Sequence, residues 1–191
     1  IYNSLIDINK KLSSFNKEVE ILYGPSLDIF KYLISQYKIE NIFSYQESGI
    51  KQSWQRDIKV RNFCNENSIN WIEFQRDGII RGIKNRKNWN KNWHIQMHSQ
   101  IIQNSFKKQK KLRFLNKFPL PKNLVRKINS DFNSFQPAGE SMAWKYLKSF
   151  SNERIVGYAY NISKPEKSRI SCSRLSPYIS WGNLNIRLVY H

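Results

Sequence analysis

The sequence predicts an α/β fold in its first part and an all-helical region after it. Short apolar runs rich in β-branched and aromatic residues recur at 19–23, 42–45 and 69–74, each bounded by polar or turn-forming residues. Segments with apolar residues three and four apart separate them, so strands and helices alternate. That order gives a parallel sheet with right-handed crossovers. Beyond Gly139 helical spacing dominates. The chain therefore divides into an α/β part over 1–78, a basic connector containing a helix over 79–134, and the opening of a helical domain over 135–191.

Each element has its own warrant. Leu5, Ile8, Leu12 and Phe15 keep the spacing of one helix face. The strand over 19–23 ends at Gly24-Pro25, and Ser26 caps a helix striped by Ile29, Phe30, Leu33, Ile34 and Tyr37. Trp54, Val60, Phe63 and Cys64 belong to the next helix, where Cys64 reads as a small buried hydrophobe. Trp89, Trp93 and Met97 form a further stripe, either a buried helix face or aromatics that stack on bases. Phe118-Pro119-Leu120-Pro121 reads as a stiff, exposed connector. Ala143, Tyr146, Leu147 and Phe150 line one face of a helix, and a short helix follows over 155–160. Lys164-Pro165 then opens a loop that runs to Cys172. Ile1 reads as an internal position of a longer protein, and the chain stops at His191 soon after a short helix begins.

Composition narrows the function classes. With 40% hydrophobic and 14% aromatic residues among 191, the chain can pack a core, which excludes a disordered tail. Against 14 acidic residues stand 32 basic ones, for a net charge of +18, so a polyanion such as nucleic acid is the expected partner. Heavy use of Lys, Asn and Ile inflates the basic count, and a merely solvated surface stands beside that reading. Arg81, Lys84, Arg86, Lys87 and Lys91 form one basic cluster, and Lys107, Lys108, Lys110, Lys111 and Arg113 a second. Either reads as a solvated face or as contacts to phosphate.

Other chemistry lacks support. No apolar run is long enough to cross a membrane, and the N-terminus has no signal-peptide pattern. The two cysteines have no metal-ligand spacing, so nothing implies an oxidising compartment and a cytoplasmic location is expected. His94 and His98 lie four apart without an acidic residue at the usual offset, and no metal site is assigned. Neither a G-x-G-x-x-G fingerprint nor a P-loop occurs, which leaves an ordinary hydrolase or NTPase without a motif.

The most informative segment is Cys172-Ser173-Arg174-Leu175-Ser176-Pro177-Tyr178, continuing to Trp181-Gly182. Ser176 reads as an N-cap and Pro177 as a first helical residue. Free N–H groups and one arginine would then face a phosphate, although an ordinary capped helix has the same pattern.

The wording of the run resembles the flavin-phosphate loop of the photolyase/cryptochrome family, [T/C/S]-S-R-L-S-P-[YH]-[LI]-x-x-G. Upstream, Phe135-Gln136-Pro137-Ala138-Gly139-Glu140 is similar to that family's F-x-P-G-G-E, with Ala138 in place of the first glycine. Trp54-Gln55-Arg56-Asp57 resembles the family's helix with an R-D pair, and Gly78-Ile79-Ile80-Arg81 its G-[VI]-[VI]-R segment.

The resemblance implies a Rossmann-like parallel-sheet antenna domain, its first strand missing, joined by the basic connector to the start of an all-helical FAD-binding domain. It implies FAD held by Tyr158, Cys172, Ser173, Arg174, Leu175 and Ser176, and a second antenna chromophore for which Glu47 is the nearest candidate contact. It implies DNA containing pyrimidine dimers as partner, with Arg81, Lys84, Arg86, Lys87, Lys91 and Lys164 as candidate phosphate contacts, and a monomer when full length. The implied activity is light-driven dimer repair by electron transfer from reduced FAD. No catalytic residue is assigned, because the family's electron-relay residues lie later in the helical domain. A cryptochrome-type photoreceptor on the same fold and a cofactor-free basic nucleic-acid-binding module are the alternatives.

Overall fold

The computed structural model describes residues 1–110, 113–130 and 135–191. Lys111 of the second basic cluster and residues 131–134 at the end of the expected connector lie outside the described residues. In chain order the regular elements are α1 (Tyr2–Leu12), α2 (Ser26–Gln36), β1 (Asn41–Tyr45), α3 (Lys51–Glu66), β2 (Asn70–Phe74), α4 (Trp89–Met97), α5 (Lys122–Ser130), α6 (Glu140–Asn152), α7 (Tyr158–Asn161), α8 (Ser168–Ser171), α9 (Ser176–Ser180) and α10 (Ile186–Tyr190). Short 3-10 turns fill Ser13–Phe15, Arg154–Gly157 and Pro165–Lys167. Helices combined with a parallel sheet are compatible with the α/β class. Among the described residues no helix is long and apolar enough to cross a membrane.

The chain forms two compact units. One comprises Leu22–Gln100 with Asn116–Leu120, and the other Ile1–Ile21, Ile101–Leu115 and Pro121–His191.

In the sheet unit, β1 and β2 pair in parallel with Asn41 opposite Asn70 and Tyr45 opposite Phe74. The α3 crossover joins them, as parallel strands require. Val60, Phe63, Cys64 and Ile69 form the core, with Phe30 and Ile34 of α2 and Ile42 and Trp71 of the sheet packed against it. Part of the stripe expected for α2 thus meets Val60, Phe63 and Cys64 of α3 in one core, whereas Trp54 is exposed. Burial pushes the Cys64 thiol above its ordinary range, which keeps it protonated and inert. The opposite sheet face carries Phe43, Tyr45 and Phe74, all exposed.

The strand expected over 19–23 has no ladder partner among the described residues. Two of its backbone donors have partners in other segments. Val19 N–H donates to Asn9 Oδ1 at 2.6 Å and Tyr23 N–H to the Phe118 carbonyl at 2.8 Å. Phe118, expected in an exposed connector, is half-buried, with its ring 5.7 Å from that of Tyr32. Trp89 and Trp93 are half-buried and Met97 fully buried, so most of that stripe packs inward.

In the helical unit, Ala143, Leu175, Tyr178 and Leu184 form the core, ringed by Tyr146, Leu147, Ile179 and Leu188 among others. The short helix expected over 155–160 is the 3-10 turn Arg154–Gly157 running into α7. Gly139 precedes α6 at φ 102, a left-handed conformation that favours glycine. Ala138 has no positive φ, which explains why alanine is accepted there and glycine retained next to it.

The expected capping at α9 is corrected. Leu175 is the N-cap, Ser176 the first helical residue, and no side chain caps the helix. Leu175 is 5% exposed, and its carbonyl accepts from Ile179 N–H at 3.0 Å. Burying a leucine contributes about 1.5–3 kcal/mol and a serine cap about 1 kcal/mol, so core packing sets where the helix begins.

Candidate functional site

The segments 135–137, 145–154 and 169–174 of the helical unit surround a cavity of about 650 Å³. This is within the size range of small-molecule sites. Its lining carries Lys145, Arg154, Arg169 and Arg174 and contains no carboxylate. Gln136, Ser149 and Tyr146 supply further polar groups. Cations gathered without an acidic partner among the lining residues give the cavity a positive potential that suits a negatively charged group.

Local structure explains how each side chain arrives there. Lys145 and Ser149 are four apart on α6 and share a face beside the core stripe. Arg154 sits in the 3-10 turn that follows, and Arg169 in α8. Arg174 occupies the loop between α8 and α9 with φ 57, left-handed for a residue that is not glycine. Gln136 braces it from both sides. Arg174 Nε donates to Gln136 Oε1 at 3.1 Å, and Gln136 Nε2 donates to the Arg174 carbonyl at 2.9 Å.

Arg154 holds the loop from the other side. Its Nη1 donates to the Cys172 carbonyl, and its Nη2 to the carbonyls of Tyr146 at 2.8 Å and Ser173 at 3.4 Å. Behind the loop, the Tyr178 hydroxyl donates to the Pro137 carbonyl at 2.6 Å. Burial pushes that phenol above its ordinary range, with Tyr146 adding to the effect and the Gln136 hydrogen bond and Arg174 opposing it.

Of the residues expected to hold FAD, Arg174 lines the cavity. Cys172 and Ser173 lie beside it and present their carbonyls to Arg154. Leu175 is in the core, and Ser176 is exposed. Tyr158 stands on α7 with its ring 5.7 Å from Phe150, outside the cavity lining. At five residues, α9 is too short for a strong macrodipole, so side-chain charge supplies most of the positive potential. Sequence reasoning missed Lys145, Arg154 and Arg169. The α6 periodicity was the available signal for Lys145; nothing local marks the two arginines.

The remaining expected residues are placed as follows. Lys84, Arg86, Lys87 and Lys91 are exposed on the segment leading into α4 and on its first turn. Arg81 is set apart from them, because its Nη2 lies 2.7 Å from Glu73 Oε1 and Arg61 pairs with the same carboxylate. Lys164 is exposed before Pro165 in the helical unit. Glu47 is tied down locally. Its Oε1 accepts from Gly49 N–H at 2.6 Å, and its Oε2 lies 3.6 Å from Arg56 Nη2. Arg56 also chelates Asp57 Oδ1 through Nε at 2.9 Å and Nη2 at 2.7 Å. His94 and His98 are exposed on α4 and just beyond it, with rings 5.7 Å apart. Among the described residues no group of three potential metal ligands gathers there or elsewhere.

No family model matches the chain. Over 69 residues, 36% of the chain, it is 38% identical to the deoxyribodipyrimidine photolyase of Alkalihalophilus pseudofirmus. The chain covers 13% of that protein's length. A relationship to photolyases is thereby suggested over part of the sequence.

Proposed function

We propose that the chain is part of a deoxyribodipyrimidine photolyase, and that its helical unit contributes one wall of an FAD site. The observation that carries this reading is the cavity lined by Lys145, Arg154, Arg169 and Arg174 without a carboxylate, with the loop that resembles the family's flavin-phosphate segment along its edge. The partial similarity to a photolyase also supports it.

The residues present fit the diphosphate of FAD. Arginine offers forked donors that match phosphate oxygens, and lysine a movable point charge. Gln136 holds the Arg174 side chain through Nε and thereby limits the orientations its guanidinium samples. Arg154 spends its donors on carbonyls and Ser149, so it shapes the wall more than it binds. When bound and reduced, FAD supplies the light-driven electron that splits a pyrimidine dimer. The exposed Lys84, Arg86, Lys87 and Lys91 attract DNA phosphates.

The test uses the full-length protein. Purified protein should carry flavin, and it should remove cyclobutane pyrimidine dimers from an oligonucleotide under blue light and not in the dark. Flavin without repair would favour the photoreceptor alternative. Failure to bind flavin even after reconstitution would leave the cofactor-free basic module.

A further inference from the structure

Arg154 ties together segments that are distant in sequence. Its Nε donates to Ser149 Oγ at 3.1 Å, and its Nη groups reach the carbonyls of Tyr146, Cys172 and Ser173. The guanidinium carbon lies 5.6 Å from the Tyr146 ring centroid and 6.0 Å from that of Phe150. Among the described residues no carboxylate forms an ion pair with it. A guanidinium that spends its donors on backbone carbonyls fixes backbone geometry rather than neutralising an acid. The carbonyls it holds belong to the two residues just before Arg174, where the chain turns left-handed at φ 57. Such a conformation in a bulky residue persists only where its surroundings impose it.

We propose that Arg154 is a positioning residue: it pins the Cys172 and Ser173 carbonyls so that the chain turns at Arg174 and presents the Arg174 side chain to the cavity. Its consequence for cofactor affinity rests on the FAD reading above.

Full-length variants test this with one measurement that needs no cofactor and one that does. Arg154→Lys keeps the charge but replaces the planar fork with a single ammonium. Ser149→Ala removes one acceptor and leaves the carbonyl contacts. In FAD-free protein, amide hydrogen exchange at 172–176 should rise about tenfold or more in Arg154→Lys, while α6 amides and the melting temperature stay near wild type. The FAD dissociation constant should rise about tenfold or more in the same variant, with Ser149→Ala in between.

Wild-type exchange at 172–176 in Arg154→Lys overturns the positioning role, whatever happens to FAD. Equal loss of protection in the loop and in α6, with unchanged FAD affinity of the folded fraction, also overturns it by showing a purely structural residue. Faster loop exchange in a protein that binds no FAD supports the positioning role and removes the FAD reading instead.

Discussion

Tyr178 joins stability to the cavity through a single hydroxyl. It is 3% exposed and donates to the Pro137 carbonyl at 2.6 Å. Its phenol is pushed up chiefly by burial, so the folded state holds this proton more tightly than the unfolded state does. The stabilisation is therefore fully present below the unfolded value of about 10 and is lost as pH rises through the higher folded value. Tyr178→Phe should cost about 0.5–1.5 kcal/mol at neutral pH, the usual worth of such a hydrogen bond. The gap between the two proteins should shrink as pH passes about 10. Urea unfolding across that range checks it, and a constant gap would show that burial does not shift the phenol. Arg174 supplies a second residue-scale test. Its φ of 57 penalises any side chain with a Cβ. FAD-free Arg174→Gly should therefore be more stable than Arg174→Ala by about 1 kcal/mol in the same assay.

At the scale of elements, α1 and α6 are joined by a carboxylate at a helix N-terminus. Asp7 Oδ2 accepts from Ser141 N–H at 3.3 Å, and both Asp7 oxygens lie 3.2 Å from Ser141 Oγ. The neighbouring pair of Lys11 Nζ and Glu140 Oε2 at 2.8 Å is solvent-exposed and contributes at most about 1 kcal/mol. A Cβ at Gly139 would meet Asp7 Oδ2 at 2.7 Å. Gly139→Ala should thus cost roughly 1–3 kcal/mol from backbone strain, with the clash added. Combining it with Asp7→Ala should cost less than the sum of the single changes, because truncation removes the two closest atoms, leaving the Asp7 Cβ position at 3.0 Å and the strain. Strict additivity by denaturant titration would contradict this contact.

These elements also show what was legible in the sequence. Phe30 and Ile34 of the α2 stripe, Val60, Phe63 and Cys64 of α3 and Ala143 of the α6 stripe do pack into cores, while Trp54 is exposed; periodicity decides which side chains share a helix face, but not how much of that face a neighbour covers. Gly139 was legible as part of a motif. The segment over 19–23 has the composition of a strand, but what its ends bond to was not legible: Val19 N–H reaches Asn9 and Tyr23 N–H reaches Phe118, both set by tertiary packing. The start of α9 was misjudged by one residue because burial of Leu175 outweighs the capping preference of Ser176. Arg154 and Arg169 were invisible as site residues, because only tertiary packing brings them to Arg174.

At the scale of the whole molecule, the cluster of Lys84, Arg86, Lys87 and Lys91 and the cationic cavity lie in different units, while Lys107, Lys108, Lys110 and Arg113 share the cavity's unit. The net charge of +18 includes cations already paired, such as Arg61 and Arg81 with Glu73. Lys84, Arg86, Lys87 and Lys91 are exposed and better suited to meet phosphate. Neutralising these together should reduce the slope of log affinity for duplex DNA against log salt by roughly 3–4, about 0.9 for each residue, whereas Arg81→Ala should change it by well under half of that single-residue value. Equal effects per residue in a salt titration would show that the Glu73 pairing does not matter. The most direct measurement is the flavin-to-protein ratio of the full-length protein and its Arg174→Ala variant, taken with the melting temperature of each apo form. If the cavity holds the FAD diphosphate, losing this guanidinium should weaken binding by about 1.5–3 kcal/mol and lower flavin occupancy, with apo melting little changed. Undiminished flavin in Arg174→Ala would contradict the assignment of the loop and its cationic cavity as the phosphate site.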